Sequence, residues 1–372
     1  MKPYTNGDYL NPATKTTLGF GTMRLSKDKS EVARMVDTYL GHGYNYIDTA
    51  YIYTDSEETL KETLVKRHPR DSYFIANKLP PWLLKNCPED CANMFEEQLR
   101  RTGLDYFDYY LVHSLEEGTE QQVEDWDLFG WCIQQKKKGL IKHLGFSFHG
   151  GTAYLQRILE RHPEAEFVQL QQNYVDNLRG PATEWQELAI KYNKPIIVME
   201  PIKGGTLATL PEIAEKILKD YAPDRSIASW AIQYAANLQN VTCVLSGMSS
   251  MEQMGDNLKT FKDLKPFTAE EQKVLEHALM EVAKVTGIPC TTCKYCHSAC
   301  PLDIDIASSF GLYNNAKMVP RNAWNAAAIY KSIPESNRAD ACTKCGACAA
   351  RCPQHIDIPN EMDKVVEEFK KH

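Results

Sequence analysis

The sequence predicts an α/β chain in two parts: a (β/α)8 barrel over residues 1–265, then a small, mainly helical, cysteine-rich domain over 266–372. Three observations carry this prediction. Apolar runs of strand length alternate with longer amphipathic segments from residue 17 to about 262. There are eight such runs, recurring at about 32 residues per unit, the spacing of a closed barrel. Eight of the twelve cysteines crowd between Cys290 and Cys352.

The strands are expected to end near Gly21, Asp48, Lys78, His113, Ser147, Gln171, Met199 and Ser246. Segments between them, such as "SEVARMVDTYLGHG" and "CPEDCANMFEEQLRRTG", place apolar residues at helical spacing between polar or proline starts and glycine stops. The triple lysine Lys136 to Lys138 precedes Gly139 and reads as the solvated last turn of a helix. An open doubly wound sheet would carry a glycine-rich phosphate loop after its first strand, and "GFGTMRL" lacks that spacing. After the eighth strand, "SSMEQMGDNLKTF" and "TAEEQKVLEHALMEVAKVTG" read as two helices with a linker near Lys262 to Thr268.

With 43% hydrophobic residues, 24% charged residues and a net charge of −7, the composition argues against nucleic-acid binding by bulk electrostatics. The segment "MKPYTNGDYL" does not resemble a signal peptide, and no window reaches a membrane span. A cytoplasmic protein without a membrane partner is expected. Thiols stay reduced in that compartment, so clustered cysteines call for a metal or catalytic explanation. Cys87, Cys91, Cys132 and Cys243 have no metal-ligand spacing and read as buried structural thiols.

Strands two, three and four end in residues that handle protons, Asp48, Lys78 and His113, with Tyr53 five residues beyond Asp48. A barrel brings such residues to one mouth. Tyrosine is a weak acid with an ordinary pKa of about 10, so an ammonium beside it would favour the phenolate and lower that value. Asp48 would pair with Lys78, and His113 would orient a carbonyl oxygen. The stretches "YNYIDTAYIYTDSEETL", "YFIANKL", "DYFDYYLVHSL" and "IKHLGFS" resemble the active-site signatures of the aldo-keto reductases, over roughly residues 17–262. The resemblance implies a TIM barrel that binds an extended nicotinamide nucleotide and passes hydride to a small-molecule carbonyl. It implies Tyr53 as acid/base, tuned by Asp48 and Lys78, with His113 orienting substrate.

On the same resemblance Ser147 and Gln171 match positions that hold the nicotinamide carboxamide. Met199 stands where many members stack a tyrosine, and Phe148 replaces the usual asparagine, with His149 after it. Phosphate-preferring members carry a lysine and an arginine at positions matching Gly247 and Gln253 here. Both cations are missing, which leaves NADH and NADPH open. Ser249, Ser250 and Asn257 are the remaining candidates for the adenosine end.

In the tail, "CTTCKYCHSACP" from Cys290 is echoed by "CTKCGACAARCP" from Cys342, and Cys-Pro-Leu-Asp-Ile-Asp-Ile by Cys-Pro-Gln-His-Ile-Asp-Ile. Each unit reads C-x2-C-x2-C-x3-C-P, the run of a [4Fe–4S] site whose fourth cysteine ligates the other cluster in two-cluster ferredoxins. On that pattern Cys290, Cys293, Cys296 and Cys352 hold one cluster, and Cys342, Cys345, Cys348 and Cys300 the second. Zinc is the main alternative, but zinc ribbons use separate cysteine pairs, whereas each unit here packs four cysteines into a short run. The tail resembles a ferredoxin of the helical kind, with "DIASSFGLYNNAKM" between its halves.

A nicotinamide moves two electrons as hydride while a cubane moves one, and the sequence has no motif specific for a flavin that would split the pair. Two functions follow. One is a carbonyl oxidoreductase whose clusters are structural or exchange electrons with a redox protein partner. The other is an electron-transfer protein whose barrel binds a flavin or another ligand.

Overall fold

The computed structural model describes residues 9–372 apart from 12, 14, 15, 180, 286, 289, 291–295, 319, 321, 322 and 353–355. Its chain packs as two compact units. The first comprises the residues up to Asn173 with Ala182–Pro201 and Ile232–Pro266; the second comprises Tyr174–Pro181, Ile202–Ala231 and Phe267–His372.

In the first unit eight parallel strands close into a barrel in chain order. They are β1 (Thr17–Gly21), β2 (Tyr46–Asp48), β3 (Phe74–Leu79), β4 (Phe107–Leu115), β5 (Ile141–Phe148), β6 (Phe167–Gln171), β7 (Ile196–Met199) and β8 (Val241–Ser246). Pairing of Leu18 with Val244 closes β1 onto β8. Both faces of these strands are covered, which is why they read as nearly continuous apolar runs.

Aromatic side chains fill the barrel interior. Tyr46, Tyr109 and Phe167 pack with Tyr9, Ala76, Leu111, Ile197, Cys243 and Leu245, and the Tyr46 and Tyr109 rings lie 5.0 Å apart. Such bulk demands small partners at the same level. A Cβ on Gly19 would come within 2.7 Å of Cys243 Sγ, and one on Gly145 within 2.7 Å of the Phe167 carbonyl oxygen. Glycine is the residue that lets these strands carry rings opposite.

Strand side chains alternate between faces, so a residue two positions after an inward one points inward again, one layer nearer the C-terminal mouth. Asp48 follows Tyr46, Lys78 follows Ala76, His113 follows Leu111, Ser147 follows Gly145, and Gln169 follows Phe167. The polar layer of the mouth is thus the aromatic layer's own register carried one step further.

The helix Leu128–Lys137 ends at Lys138 with Gly139 left-handed at φ 81°, as the lysine run predicted. Lys136 departs from the solvated reading. It pairs with Glu166, which also takes bonds from His143 and the Leu144 amide. These partners outweigh burial and draw the Glu166 carboxyl down to about 2.

In the second unit the helix Glu212–Tyr221 packs against Ala269–Val285. Arg225 braces this pairing, bonding Glu271 at 3.0 Å and lying 4.0 Å from the Trp230 ring. The tail core gathers Ile304, Ile306, Phe310, Ile356, Ile358 and Met362. Its two halves repeat one local fold. A single tight turn, His297–Ala299 or Ala349–Arg351, follows Cys296 or Cys348, and the chain leaves it extended at Cys300 or Cys352. The helices Ile306–Met318 and Ile358–Phe369 then start at matching isoleucines. Among the described residues no helix is long and apolar enough to cross a membrane.

Candidate functional site

Buried hydrogen bonds hold the turn after β2. Thr22 donates from both N and Oγ1 to the Asp48 carbonyl, at 2.9 and 2.7 Å. Ser56 Oγ lies 2.7 Å from Thr22 Oγ1 and 2.8 Å from Thr49 Oγ1, all buried. Tyr53 follows in a tight turn, its N–H bonded to the Ala50 carbonyl at 3.0 Å.

Lys78 Nζ donates to Asp48 Oδ1 at 2.6 Å, to the Thr49 carbonyl at 2.7 Å and to Tyr53 Oη at 3.4 Å. An ammonium has three N–H donors, and each has an acceptor here. Burial alone would drive Lys78 neutral, but Asp48 first and then Tyr53 reverse it and the pKa ends above its ordinary value. Burial lifts the Asp48 carboxyl despite Lys78. The 2.6 Å contact and the saturated donors favour the ionised pair over a neutral one.

Tyr53 differs from the expectation of a lowered pKa. Lys78 does pull its phenol down, but burial outweighs that pull, and Asp48 and Glu200 add to the rise. Tyr53 is therefore a neutral phenol at neutral pH, equipped with a neighbour able to receive its anion.

His113 belongs to an irregular stretch of β4. The register to β5 shifts between Val112 and Leu115, and Ser114 sits at φ 52° with its N–H donating to Ser147 Oγ at 2.7 Å. Such a bulge re-aims a strand side chain. His113 lies 6.2 Å from Tyr53 ring to ring, edge-on, and 5.3 Å from the Trp82 ring. Burial first, then Lys78 and His149, holds the imidazole well below its ordinary pKa. A neutral imidazole can donate one hydrogen bond, but it is no general acid at neutral pH. The structure thus brings Asp48, Tyr53, Lys78 and His113 together.

Of the residues expected from sequence to meet a cofactor, Ser147 is buried one layer inside the mouth, while Gln171 and Met199 stand half-buried at their strand ends. A residue missed from sequence is Gln169. It pairs in register with Ser147, is buried, and its Oε1 has no hydrogen-bond partner. Counting by twos from Phe167 would have found it. Gly247 follows β8, and Ser249 Oγ donates to the Arg24 carbonyl at 2.6 Å, which brings the first strand-to-helix loop to this end. Ser250 Oγ and Gln253 cap the helix Met251–Lys262, with Gln253 Oε1 accepting from Ser249 N at 2.8 Å. Asn257 is buried and donates to Ser246 Oγ at 2.6 Å.

In the tail Cys300, Cys342, Cys345 and Cys348 line one cavity with Ile304, Ile306, Ile358 and Met362. Cys348 is buried and Cys345 exposed. Burial first, then the charges of Cys342 and Cys300, raises the Cys348 thiol. Four cysteines sharing one cavity are the donor type that an iron–sulfur cluster takes. Cys290, Cys296 and Cys352 pack on the same tail core, and Cys293 lies outside the described residues.

The aldo/keto reductase family profile matches residues 17–279, most of the chain. The chain belongs to the aldo/keto reductase family. It is therefore an oxidoreductase, with a 4Fe-4S dicluster domain matched over residues 289–356. Among similar proteins, the uncharacterised oxidoreductase YqkF of Bacillus subtilis is 23% identical over 72% of this chain and 94% of its own. The 9,11-endoperoxide prostaglandin H2 reductase of Trypanosoma cruzi is 26% identical over 75% and 93%. An aldo-keto reductase of Bacillus halodurans in its holo form superposes with TM-score 0.57 at 25% identity, covering 70% of this chain and 91% of that one. One from Klebsiella pneumoniae, solved with NADPH, gives 0.58 at 19% identity, covering 71% and 95%.

Outside the polar layer of the mouth, Asn77 Nδ2 donates to Glu57 Oε1 at 2.7 Å, and Gln98 Nε2 bonds Asn77 Oδ1 and the Lys78 carbonyl, each at 2.9 Å. Burial lifts the Glu57 carboxyl to about 7 against bonds from Asn77 and Arg101. Arg101 is a weak counterweight because it also serves Glu97 and Glu58 and covers the Tyr51 ring. A carboxyl raised in the folded state binds its proton more tightly there, so stability declines as pH rises from about 4.5 to 7. Glu57→Gln is expected to remove about 2–3 kcal/mol of that decline. The check is thermal unfolding at about pH 5 and pH 8, where the wild-type midpoint should fall further than the variant's.

Proposed function

We propose that the barrel is a carbonyl oxidoreductase that uses a nicotinamide nucleotide, with Tyr53 as acid/base, and that the tail holds two [4Fe–4S] clusters. The observation that carries the reading is Lys78 Nζ, bonded at once to Asp48, the Thr49 carbonyl and Tyr53 Oη. The nucleotide, when bound, supplies or receives hydride. Ser147 Oγ and the unpartnered Gln169 Oε1 fit its carboxamide: a buried acceptor without a donor is costly until one arrives. In the reducing direction Tyr53 Oη gives its proton to the carbonyl oxygen, and the Lys78 ammonium stabilises the phenolate that remains. In the oxidising direction Tyr53 takes the proton back. Neutral His113 donates a hydrogen bond to the same oxygen and orients it.

The clusters supply one-electron chemistry. The exposed Cys345 supports a second reading, in which the Cys300, Cys342, Cys345, Cys348 site exchanges electrons with a redox protein partner at the surface. We assign residues up to 265 to the catalytic domain and 266–372 to the linker helix and cluster domain.

The test is anaerobic. Reconstituted protein is given NADPH or NADH with a panel of small aldehydes and ketones, and nucleotide oxidation is followed before and after the iron is chelated out. Carbonyl-dependent oxidation is expected with at least one nucleotide. Oxidation that proceeds equally without any carbonyl would sink the proposal. Loss of turnover on iron removal, with nucleotide binding intact, would favour the second reading for the tail.

A further inference from the structure

The ladder between β2 and β3 ends one rung before Lys78. β2 stops at Asp48, which pairs with Ala76, and the Thr49 N–H donates to the Ala76 carbonyl at 2.9 Å. In a parallel sheet the residue two places on presents its N–H and C=O to the same neighbour, so the next rung would join the Lys78 N–H to the Thr49 carbonyl. Instead the chain turns after Thr49 towards Tyr53, and two side chains take the Lys78 backbone. Asn77 Oδ1 accepts from Lys78 N at 2.9 Å, and Gln98 Nε2, from the helix Glu89–Thr102, donates to the Lys78 carbonyl at 2.9 Å. The Thr49 carbonyl is thereby left to the Lys78 side chain, whose Nζ donates to it at 2.7 Å.

Both amides are fully buried, and their orientations are fixed by what they touch. A backbone N–H only donates and a carbonyl only accepts, so the Lys78 contacts decide which way each amide points. The other atoms then match. Asn77 Nδ2 donates to Glu57 Oε1 at 2.7 Å, Asn77 Oδ1 also accepts from Gln98 Nε2 at 2.9 Å, and Gln98 Oε1 accepts from Tyr110 Oη at 2.6 Å. Arg101 holds Glu57 from the far side at 3.3 Å. An apolar pair would fill this space without desolvating two amides. It could not occupy both backbone groups of Lys78, and that is the task this brace performs.

We propose that Asn77 and Gln98 are positioning residues for Lys78: they stand in for the missing rung, keep the Thr49 carbonyl free for the ammonium, and so hold Nζ between Asp48 and Tyr53 Oη. Without the Asn77 oxygen, the Lys78 N–H turns to the Thr49 carbonyl, and the ladder gains a rung. Nζ then loses one of its three acceptors. An ammonium held by fewer partners is less fixed beside Tyr53 and stabilises its phenolate less. The importance of the brace for turnover rests on the proposed acid/base role of Tyr53, whereas its effect on the Tyr53 phenol does not.

The experiment uses the full, cluster-loaded chain with difluorotyrosine in place of Tyr53, a phenol that ionises nearer neutrality, and follows its titration by fluorine NMR. Asn77→Leu keeps the side chain's size but not its oxygen, and is expected to raise the midpoint by about one unit. Gln98→Met removes the other contact and should raise it in the same direction; if Asn77→Leu does not fold, Gln98→Met decides. Tyr110→Phe loosens the far end of the brace without touching Lys78, so it should lower the unfolding temperature and leave the midpoint in place. With the natural tyrosine, carbonyl turnover in Asn77→Leu should fall about tenfold at unchanged nucleotide affinity. An unmoved midpoint in the folded Asn77 and Gln98 variants, or an equal rise in Tyr110→Phe, overturns the positioning role. A raised midpoint in a chain that oxidises nucleotide with no carbonyl upholds that role and removes the acid/base reading instead.

Discussion

Tyr53→Phe is expected to lower turnover of a carbonyl substrate by about 10²–10⁴-fold, the range of a lost general acid, with nucleotide affinity unchanged. The substitution removes one oxygen. The ring keeps its place over Lys78, 4.7 Å from Nζ, and its edge contact with His113. Nothing else in the site is positioned to take over, because His113 is held neutral by burial and by Lys78. Lys78→Met is a poorer test, since it strands the buried Asp48 carboxylate without its cation and mixes a catalytic loss with a folding one. Single-turnover rates beside nucleotide titrations separate the two quantities. Unchanged turnover in the phenylalanine variant would remove Tyr53 from the chemistry.

The same site shows which features a sequence can carry. Asp48, Lys78 and His113 were legible because each lies at or near a strand end, and parallel strands deliver such residues to one mouth. Gln169 was passed over because "FVQLQQ" was read to its last strand residue, Gln171, whereas the pleat decides which glutamine faces Ser147. The rise in the Tyr53 pKa was also out of reach. Sequence named Lys78 as the neighbour, but the winning influence is desolvation, which depends on how the turn after β2 closes over the ring. The packing of the helix Glu212–Tyr221 on the helix Ala269–Val285 within the second unit is likewise tertiary. By contrast, the tail repeat was visible because its structural anchors are the residues that repeat. The isoleucines after Cys300 and Cys352 are buried in equivalent places, and the helices beginning at Ile306 and Ile358 start in step.

That repeat makes the crossing of ligands testable through iron content. Cys300 belongs in sequence to the first cysteine run of the tail but lines one cavity with Cys342, Cys345 and Cys348 of the second run. If each half ligates the other's cluster, Cys342→Ala should reduce bound iron from about eight atoms per chain to about four. Cys300→Ser should do the same, and the double variant should lose nothing more, because both residues serve one cluster. Uncrossed ligation predicts the opposite for the pair: each single variant empties a different site and the double variant holds no iron. Independent sites add and shared ones do not, so the cycle reads connectivity without a structure of the loaded tail. The matched change of Cys352→Ser with Cys290→Ala should behave alike for the other cluster. Iron and acid-labile sulfide assays on anaerobically reconstituted protein distinguish these patterns, and additive loss from Cys300 and Cys342 would overturn the crossed arrangement.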